Sequence, residues 1–338
     1  MPGIEDLAAD EVRRAGASVR DVLRGFDKRD SMLLMTAVRP ERLLRTALIE
    51  DVFVVLLDAP ISRARGAPRA ALAKLDRRDF ERALSLHHAI RPKTRGRSYK
   101  AVARVAGRQS FTRDDLKRAV ERSASALLPH WRMDPQHAAV ELWAHVIGER
   151  LIVGLRVSDD ELAQRKWKRA HLPASLKPTA ARALVALSQP RPDDIFLDPM
   201  AGAGTILRER IDAGAAALVL GGDSEGAALD AARTNAGKRT SLVKWDATRL
   251  PLPDRSIDVV VTNPPYGRQH EASRGLQRLY ARATREMARV LRPDGRCVIL
   301  TGEPAVLFRS LPPALRLVSR RRMIVRGLPV TAFVLERS

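Results

Sequence analysis

From residue 179 onward the sequence predicts an α/β fold built on a doubly wound parallel sheet, preceded by an α+β half. Three observations carry this. Strand-like and helix-like segments alternate from Ile195 to Leu300, with Gly-, Pro- or Asp-bearing turns between them. A strand such as Ile257 to Val261 is a largely β-branched apolar run, the pattern of a strand buried on both faces. Before residue 159, short strands are interleaved with amphipathic helices instead.

Taken in order, Ile4 to Ala15 spaces Leu7, Ala8 and Val12 along one helix face. Arg39-Pro40-Glu41 opens a second helix through Leu48, and Val52 to Leu57 follows as a strand. Ala59-Pro60 and Gly66-Ala67-Pro68 read as an exit from a first unit spanning 1–60. A middle unit, 61–158, offers a helix near Arg78 to Ala89 and a basic, turn-rich segment from Arg91 to Lys100. The strand Tyr99 to Val105 comes next. Thr112 is placed to cap a helix from Arg113 to Leu128, with Asp114 and Asp115 in its first turn. Val140 to Val146 alternates as a half-buried strand, and Gly148-Glu149 turns into Leu151 to Val157. A basic, Pro-punctuated connection (159–178) leads into the last unit, 179–338.

That unit begins with a helix, Thr179 to Leu187, and a strand, Ile195 to Leu197. It continues through a helix to about Ala213, the strand Ala217 to Leu220, the helix Ala227 to Asn235 and the strand Leu242 to Lys244. Ile257 to Val261 and a helix from about Gly275 to Leu291 follow. Arg292-Pro293-Asp294-Gly295 turns into Cys297 to Leu300, and Leu315 to Val318 with Val330 to Leu335 closes an antiparallel edge.

With 338 residues and 45% hydrophobic content, the chain has material for two or three real cores and is not a disordered polymer. Apolar runs are too short to span a bilayer, and Met1 to Asp6 lacks the features of a signal peptide. One cysteine, Cys297, leaves no disulfide, and His87, His88, His130, His137 and His145 fit no metal-ligand spacing. A cytoplasmic monomer without metal is expected.

The net charge of +21 is unevenly placed. Residues 1–60 carry 9 Lys/Arg against 11 Asp/Glu, a net of −2; residues 61–170 carry 25 against 12, a net of +13; residues 171–338 carry 26 against 16, a net of +10. The jump after residue 60 points to a polyanion-binding middle domain, with a merely solvated basic surface as the bland alternative. Arg91, Lys93, Arg95, Arg97 and Lys100, then Lys166, Lys168 and Arg169, are the candidate contacts.

The turns at strand ends carry complementary chemistry. Asp198-Pro199-Met200-Ala201-Gly202-Ala203-Gly204-Thr205 removes side chains at Gly202 and Gly204, so that a ligand can lie against backbone at a helix N-terminus. Asp223, followed by Ser224, can accept from ribose hydroxyls. Asp246 can accept from an adenine amino group, with Trp245 or Ala247 beside the ring. A dinucleotide fingerprint would place a third glycine where Leu207 stands, and no phosphate-loop Lys-Ser/Thr pair follows. An adenosine with a zwitterionic amino-acid tail, S-adenosylmethionine, fits better.

Asn263-Pro264-Pro265-Tyr266 ends the strand Ile257 to Val261 on a rigid turn, because two prolines cannot extend a ladder. The Asn263 amide oxygen and the Pro264 carbonyl can accept both hydrogens of an exocyclic amino group. That arrangement directs the nitrogen lone pair at an electrophile. Pro265 stiffens the turn, and Tyr266 offers an aromatic face to a flipped base. The bland reading of these four residues is a Pro-capped strand and a surface loop.

These residues resemble the class I S-adenosylmethionine-dependent methyltransferases, and more narrowly the THUMP-domain RNA guanine-N2 methyltransferases, including tRNA enzymes acting on the acceptor stem. Three blocks carry the likeness: Leu172-Pro173-Ala174-Ser175-Leu176-Lys177-Pro178, Asp198 to Thr205, and Thr262 to Gly267. The resemblance implies a Rossmann-like sheet at 179–338, a ferredoxin-like domain at 1–60 and a THUMP RNA-binding domain at 61–158. It also implies that Pro173, Ala174 and Ser175 line the cofactor from outside the sheet. Asp198, Met200, Ala201, Gly202, Gly204 and Thr205 would form its glycine loop, and Asn263 would face it. Ala201 stands where relatives often carry cysteine, and Asn263 where many carry Asp or Ser. Adenine-N6 methylation of DNA or RNA, guanine-N2 methylation of rRNA and a non-catalytic RNA adaptor are the competing readings.

Overall fold

The computed structural model describes residues 1–26, 30–94, 96–173, 175–266 and 273–338. The first stretch forms α1 (Glu5–Arg14), β1 (Ala17–Phe26), β2 (Asp30–Ala37) and, after a short 3₁₀ turn at Pro40–Arg45, β3 (Phe53–Pro60). The middle holds α2 (Ala67–Leu72), α3 (Arg77–Ile90), β4 (Ser98–Ala106), α4 (Arg113–Leu127), β5 (Arg132–Met133), β6 (Val140–Ile147), β7 (Arg150–Arg156) and α5 (Asp160–Gln164). The last part holds α6 (Pro178–Leu187), β8 (Ile195–Asp198), α7 (Thr205–Asp212), β9 (Leu218–Asp223), α8 (Gly226–Ala236), β10 (Ser241–Lys244) and β11 (Ile257–Thr262). It closes with α9 (Ser273–Val290), β12 (Leu291–Thr301), α10 (Pro304–Arg309), β13 (Leu315–Val325) and β14 (Leu328–Arg337).

The large sheet has the order β10-β9-β8-β11-β12-β14-β13. Strands β8 to β12 run parallel, and β14 and β13 close the sheet antiparallel. The chain winds outward from β8 to β9 and β10, then crosses back to β11. Open α/β sheets seat ligands at such a reversal, here the carboxyl ends of β8 and β11. Apolar runs make these strands as expected: Phe196, Leu197, Val259, Val260 and Val261 are fully buried. The turn expected at Arg292–Gly295 is instead a bulge inside β12, since Ile257 pairs with Leu291 and Val259 with Arg296. Asp294 takes φ 59° there.

The middle sheet has the order β3-β7-β6-β4-β5. Its α4 starts on the expected cap, where the Thr112 hydroxyl accepts from Asp115 N and the Asp115 carboxylate accepts from Thr112 N. The strand expected to finish the first unit belongs to this sheet: β3 pairs antiparallel with β7, Phe53 against Arg156 and Pro60 against Arg150. A boundary at residue 60 therefore cuts across the pairing. The helix expected through Leu48 stops at Arg45, because Thr46 is extended and the N–H groups of Ala47 and Leu48 donate to the Glu11 carboxylate. Nor does α1 pack only within its own unit, where Val12 meets Ala17 and Leu43. Ile4 and Ala8 join the core of Ala180, Leu184, Met323 and Val325, and Ile324 N donates to Pro2 O at the sheet edge.

Candidate active site

Because β10, β9, β8 and β11 are parallel neighbours, the residues at their carboxyl ends lie along one rim. The rim carries Trp245-Asp246, Asp223, Asp198 and Asn263 in spatial order. The glycine loop after β8 is stitched to β9: Ala201 N donates to Gly222 O at 2.9 Å, and Gly202 N to the Asp223 carboxylate at 2.9 Å. Glu225 N donates to the other Asp223 oxygen at 3.1 Å. Gly204 caps α7 with φ 72°, and a Cβ there would lie 3.0 Å from Ala232, so only glycine lets α7 and α8 approach. A Cβ on Gly202, by contrast, would meet nothing within 4 Å. Its backbone borders open space that a ligand can use.

Trp245 differs from the expectation that it sits beside an adenine ring. It is buried under the rim, where a Cβ on Gly222 would lie 2.2 Å from its ring and its indole N–H donates to Pro199 O at 2.9 Å. It therefore supports the glycine loop from below. Asp246 is exposed, accepting from Thr248 N at 2.8 Å, and Ala247 beside it is buried. Asp198 accepts from Met200 N at 3.2 Å. Burial pushes its carboxyl up to about 7.

Asn263 Oδ1 just past β11, Thr205 Oγ1 at the start of α7 and Ser175 Oγ in the connection before α6 are buried without a hydrogen-bond partner among the described residues. An unpaired buried polar atom costs about 1–3 kcal/mol, so each marks a place where a ligand can complete the bonding. The Tyr266 ring lies on the backbone of Gly302, where a Cβ would sit 2.7 Å from its Cδ2, and burial pushes its hydroxyl up. Pro264 is buried and Pro265 half-buried. Tyr280 on α9, which sequence reasoning passed over, donates its hydroxyl to Pro265 O at 3.1 Å. Nothing but its place in an amphipathic helix could have flagged it.

The connection before α6 folds over this rim. Asn235, on α8, accepts from Arg169 N and Ala170 N and donates to Ala170 O and Ala203 O, all at 2.9 Å. Pro173 and Ser224 are exposed, and Met200 is half-buried. Ala174 and Gly267 lie outside the described residues.

The expected RNA contacts divide. Arg97 and Arg169 are exposed, and Lys166 is exposed but paired with Glu161 at 2.7 Å. Lys100 pairs with Glu141 at 2.8 Å, and Arg91 donates to Ser158 O at 3.0 Å. Lys168 corrects the expectation outright. It is buried, its ammonium donates to the Leu176 carbonyl, and burial lowers its pKa to about 8. Arg95 and the side chain of Lys93 lie outside the described residues. Three arginines of β13 are engaged within the chain: Arg316 with Glu336, Arg321 with Asp6, and Arg320 over the Phe308 ring. Among the described residues no three His, Cys, Asp or Glu side chains gather as a metal set, and no helix is long and apolar enough to cross a membrane.

Residues 165–323 match the UPF0020 family, described as an RMKL-like methyltransferase domain. The chain is 32% identical over 247 residues to the tRNA (guanine(6)-N2)-methyltransferase of Thermus thermophilus, covering 71% of this chain and 72% of the relative. It is 28% identical to the mouse tRNA (guanine(6)-N(2))-methyltransferase THUMP3, over 62% of this chain and 45% of the mouse protein, so it spans less than half of that relative. The crystal structure of TrmN from Thermus thermophilus superposes with a TM-score of 0.80 at 28% identity, covering 100% of this chain and 97% of that one. The crevice, the glycine loop and these likenesses agree, and the chain belongs to the guanine-N2 methyltransferase family that is built on the RMKL-like, S-adenosylmethionine-dependent methyltransferase domain.

Proposed function

We propose that this chain methylates the exocyclic N2 of a guanine in tRNA, on a base turned out of its stack into the crevice beside Asn263. The observation that carries the reading is Asn263 Oδ1, buried and unpaired at the end of the central strand. An aromatic amino group is a weak nucleophile because its lone pair is delocalised into the ring. Two acceptors fixed on one side, Asn263 Oδ1 and the Pro264 carbonyl, draw its hydrogens away and leave the lone pair facing the donor. Tyr266 supplies a ring against which the base stacks.

S-adenosylmethionine, when bound, supplies a methyl group made electrophilic by the sulfonium. The residues present fit it. Gly202 leaves backbone open beside the glycine loop, Asp223 keeps lone pairs for ribose hydroxyls, and Ser175, in the connection before α6, offers an unpaired hydroxyl. Asp198 stands at the end of β8 to meet a cationic amine. No strong base is required, because the amino nitrogen sheds its proton after it becomes cationic. The chain lowers the barrier by orientation and by excluding water. Residues 61–158 act in this reading as a THUMP-type RNA grip, which the net of +13 over residues 61–170 and the exposed Arg97 support.

Mass spectrometry of nucleosides after incubating the protein with S-adenosylmethionine and unfractionated tRNA tests this. N2-methylguanosine is expected, and Asn263→Ala should abolish it while calorimetric binding of the cofactor stays within a few-fold. N6-methyladenosine in its place would transfer the site to adenine chemistry. Cofactor binding without any product on tRNA would remove tRNA as the substrate.

A further inference from the structure

We propose that Tyr280 is a positioning residue for methyl transfer, holding the Asn263–Tyr266 turn through a directed hydrogen-bond relay that starts just past the end of β12. This rests on the reading of Asn263 and Pro264 as the acceptors for the target amino group.

The turn has an unusual weakness. Pro264 and Pro265 have no N–H, so the middle of the turn cannot pin itself by donating to its neighbours. The carbonyls are the only backbone handles these two residues offer, and one of them, Pro264 O, is reserved for substrate. The other, Pro265 O, accepts from the Tyr280 hydroxyl at 3.1 Å. That donor comes from a residue 1% exposed, anchored on α9 and packed in the core with Leu276, Ala283 and Leu307.

Counting protons fixes the direction of the relay. The Tyr280 hydroxyl has one proton, and it goes to Pro265 O. Its contact with Thr301 Oγ1 at 2.9 Å must then be one in which Thr301 donates and Tyr280 accepts. Thr301 Oγ1 in turn accepts from Glu303 N at 2.9 Å. The series runs Glu303 N–H, Thr301 O–H, Tyr280 O–H, Pro265 C=O, with every donor used once. Hydrogen bonds in such a series polarise one another. Burial pushes the Tyr280 hydroxyl up to about 12, so it keeps its proton at neutral pH.

The same stretch, at and just past the end of β12, serves the neighbouring residue. Gly302, between Thr301 and Glu303, lies under the Tyr266 ring with no room for a Cβ. One loop end thus sets both the carbonyl plane of Pro265 and the plane of the stacking ring. Loosening it shifts the acceptors without removing any group that touches substrate or cofactor.

Three proteins test this: wild type, Tyr280→Phe and Thr301→Val, each assayed by steady-state kinetics on unfractionated tRNA and by calorimetry with S-adenosylmethionine. Tyr280→Phe keeps the ring and the packing. It should lower kcat by roughly ten- to hundredfold, the order expected of a small misplacement. KM for tRNA and the cofactor Kd should stay within about twofold. Thr301→Val should give a smaller loss of the same kind, Thr301→Ser should restore activity, and the double variant should lose no more than Tyr280→Phe alone. An unchanged kcat in Tyr280→Phe overturns the inference while leaving the function intact. So does a loss of rate matched by an equal loss of cofactor affinity, which is what a general loosening of the fold produces. Wild-type protein that forms no N2-methylguanosine overturns the functional reading, and the relay's role falls with it.

Discussion

Asn235 donates to the carbonyl of Ala203 in the glycine loop at 2.9 Å, and with its remaining three bonds it holds the backbone of Arg169 and Ala170. A side chain 1% exposed on α8 therefore ties the connection before α6 to the loop that borders the cofactor crevice. Its two donors and two acceptor positions are all in use, so its amide orientation is determined by its partners. Asn235→Asp preserves the shape and the acceptors but turns an oxygen toward two carbonyls. The expected cost is about 1–3 kcal/mol for the buried Ala203 carbonyl left unpaired, with a smaller addition from the part-buried Ala170 carbonyl. Urea denaturation should show this as a lower midpoint, and calorimetry should show weaker S-adenosylmethionine binding. Unchanged cofactor affinity in a folded variant would mean that the connection and the loop are not coupled.

The catalytic sheet was legible because its strands are continuous apolar runs closed by Gly, Pro and Asp, signals contained within a few residues. Ile257–Thr262 and Leu218–Asp223 begin within two residues of where the sequence places them. What stayed hidden depends on partners far along the chain. The hairpin of β1 and β2 is mostly half-exposed, with Arg20, Asp21 and Arg24 in its first strand, and gives no alternation to read. The strand at 53–60 announces itself, but its partner lies nearly a hundred residues on, at 150–156. Within the site, Asp198, Asp223 and Asn263 could be placed because a parallel sheet aligns its strand ends. The support roles of Trp245, Tyr280 and Asn235 could not, since each acts on a carbonyl brought near only by folding. In the basic run 165–169, composition could not show that Lys168 turns inward.

Asp198 makes the crevice sensitive to pH. Burial raises its carboxyl from an ordinary 3.8 to about 7, so the folded protein retains a proton that the unfolded chain gives up. The ligand-free protein therefore loses stability as pH rises between those two values. A cationic amine placed against the carboxyl favours the ionised form and has the opposite dependence. Calorimetry should show S-adenosylmethionine binding several-fold tighter at about pH 7.5 than at about pH 6. Asp198→Asn should flatten that profile, weaken binding at the higher pH and raise the ligand-free Tm there. A wild-type affinity that does not change across this range would detach Asp198 from the amine.

Lys168 and Arg97 separate the two jobs that a basic sequence conceals. Lys168 is buried, and its ammonium holds the Leu176 carbonyl at the foot of the loop carrying Ser175. Lys168→Met keeps most of the stem but loses that anchor, so cofactor affinity should weaken several-fold while tRNA affinity holds. Arg97 is exposed on the middle unit and has no ion pair among the described residues. Arg97→Glu should leave cofactor binding alone and weaken tRNA binding. It should also flatten the salt dependence of that binding, by about one unit of slope for each phosphate it no longer neutralises. Filter binding to unfractionated tRNA at two salt concentrations, beside calorimetry for the cofactor, reads both effects. If Lys168→Met weakened tRNA binding as strongly as Arg97→Glu, the ammonium would have to reach solvent. The burial that removes it from the RNA face would then fail as an account of its role.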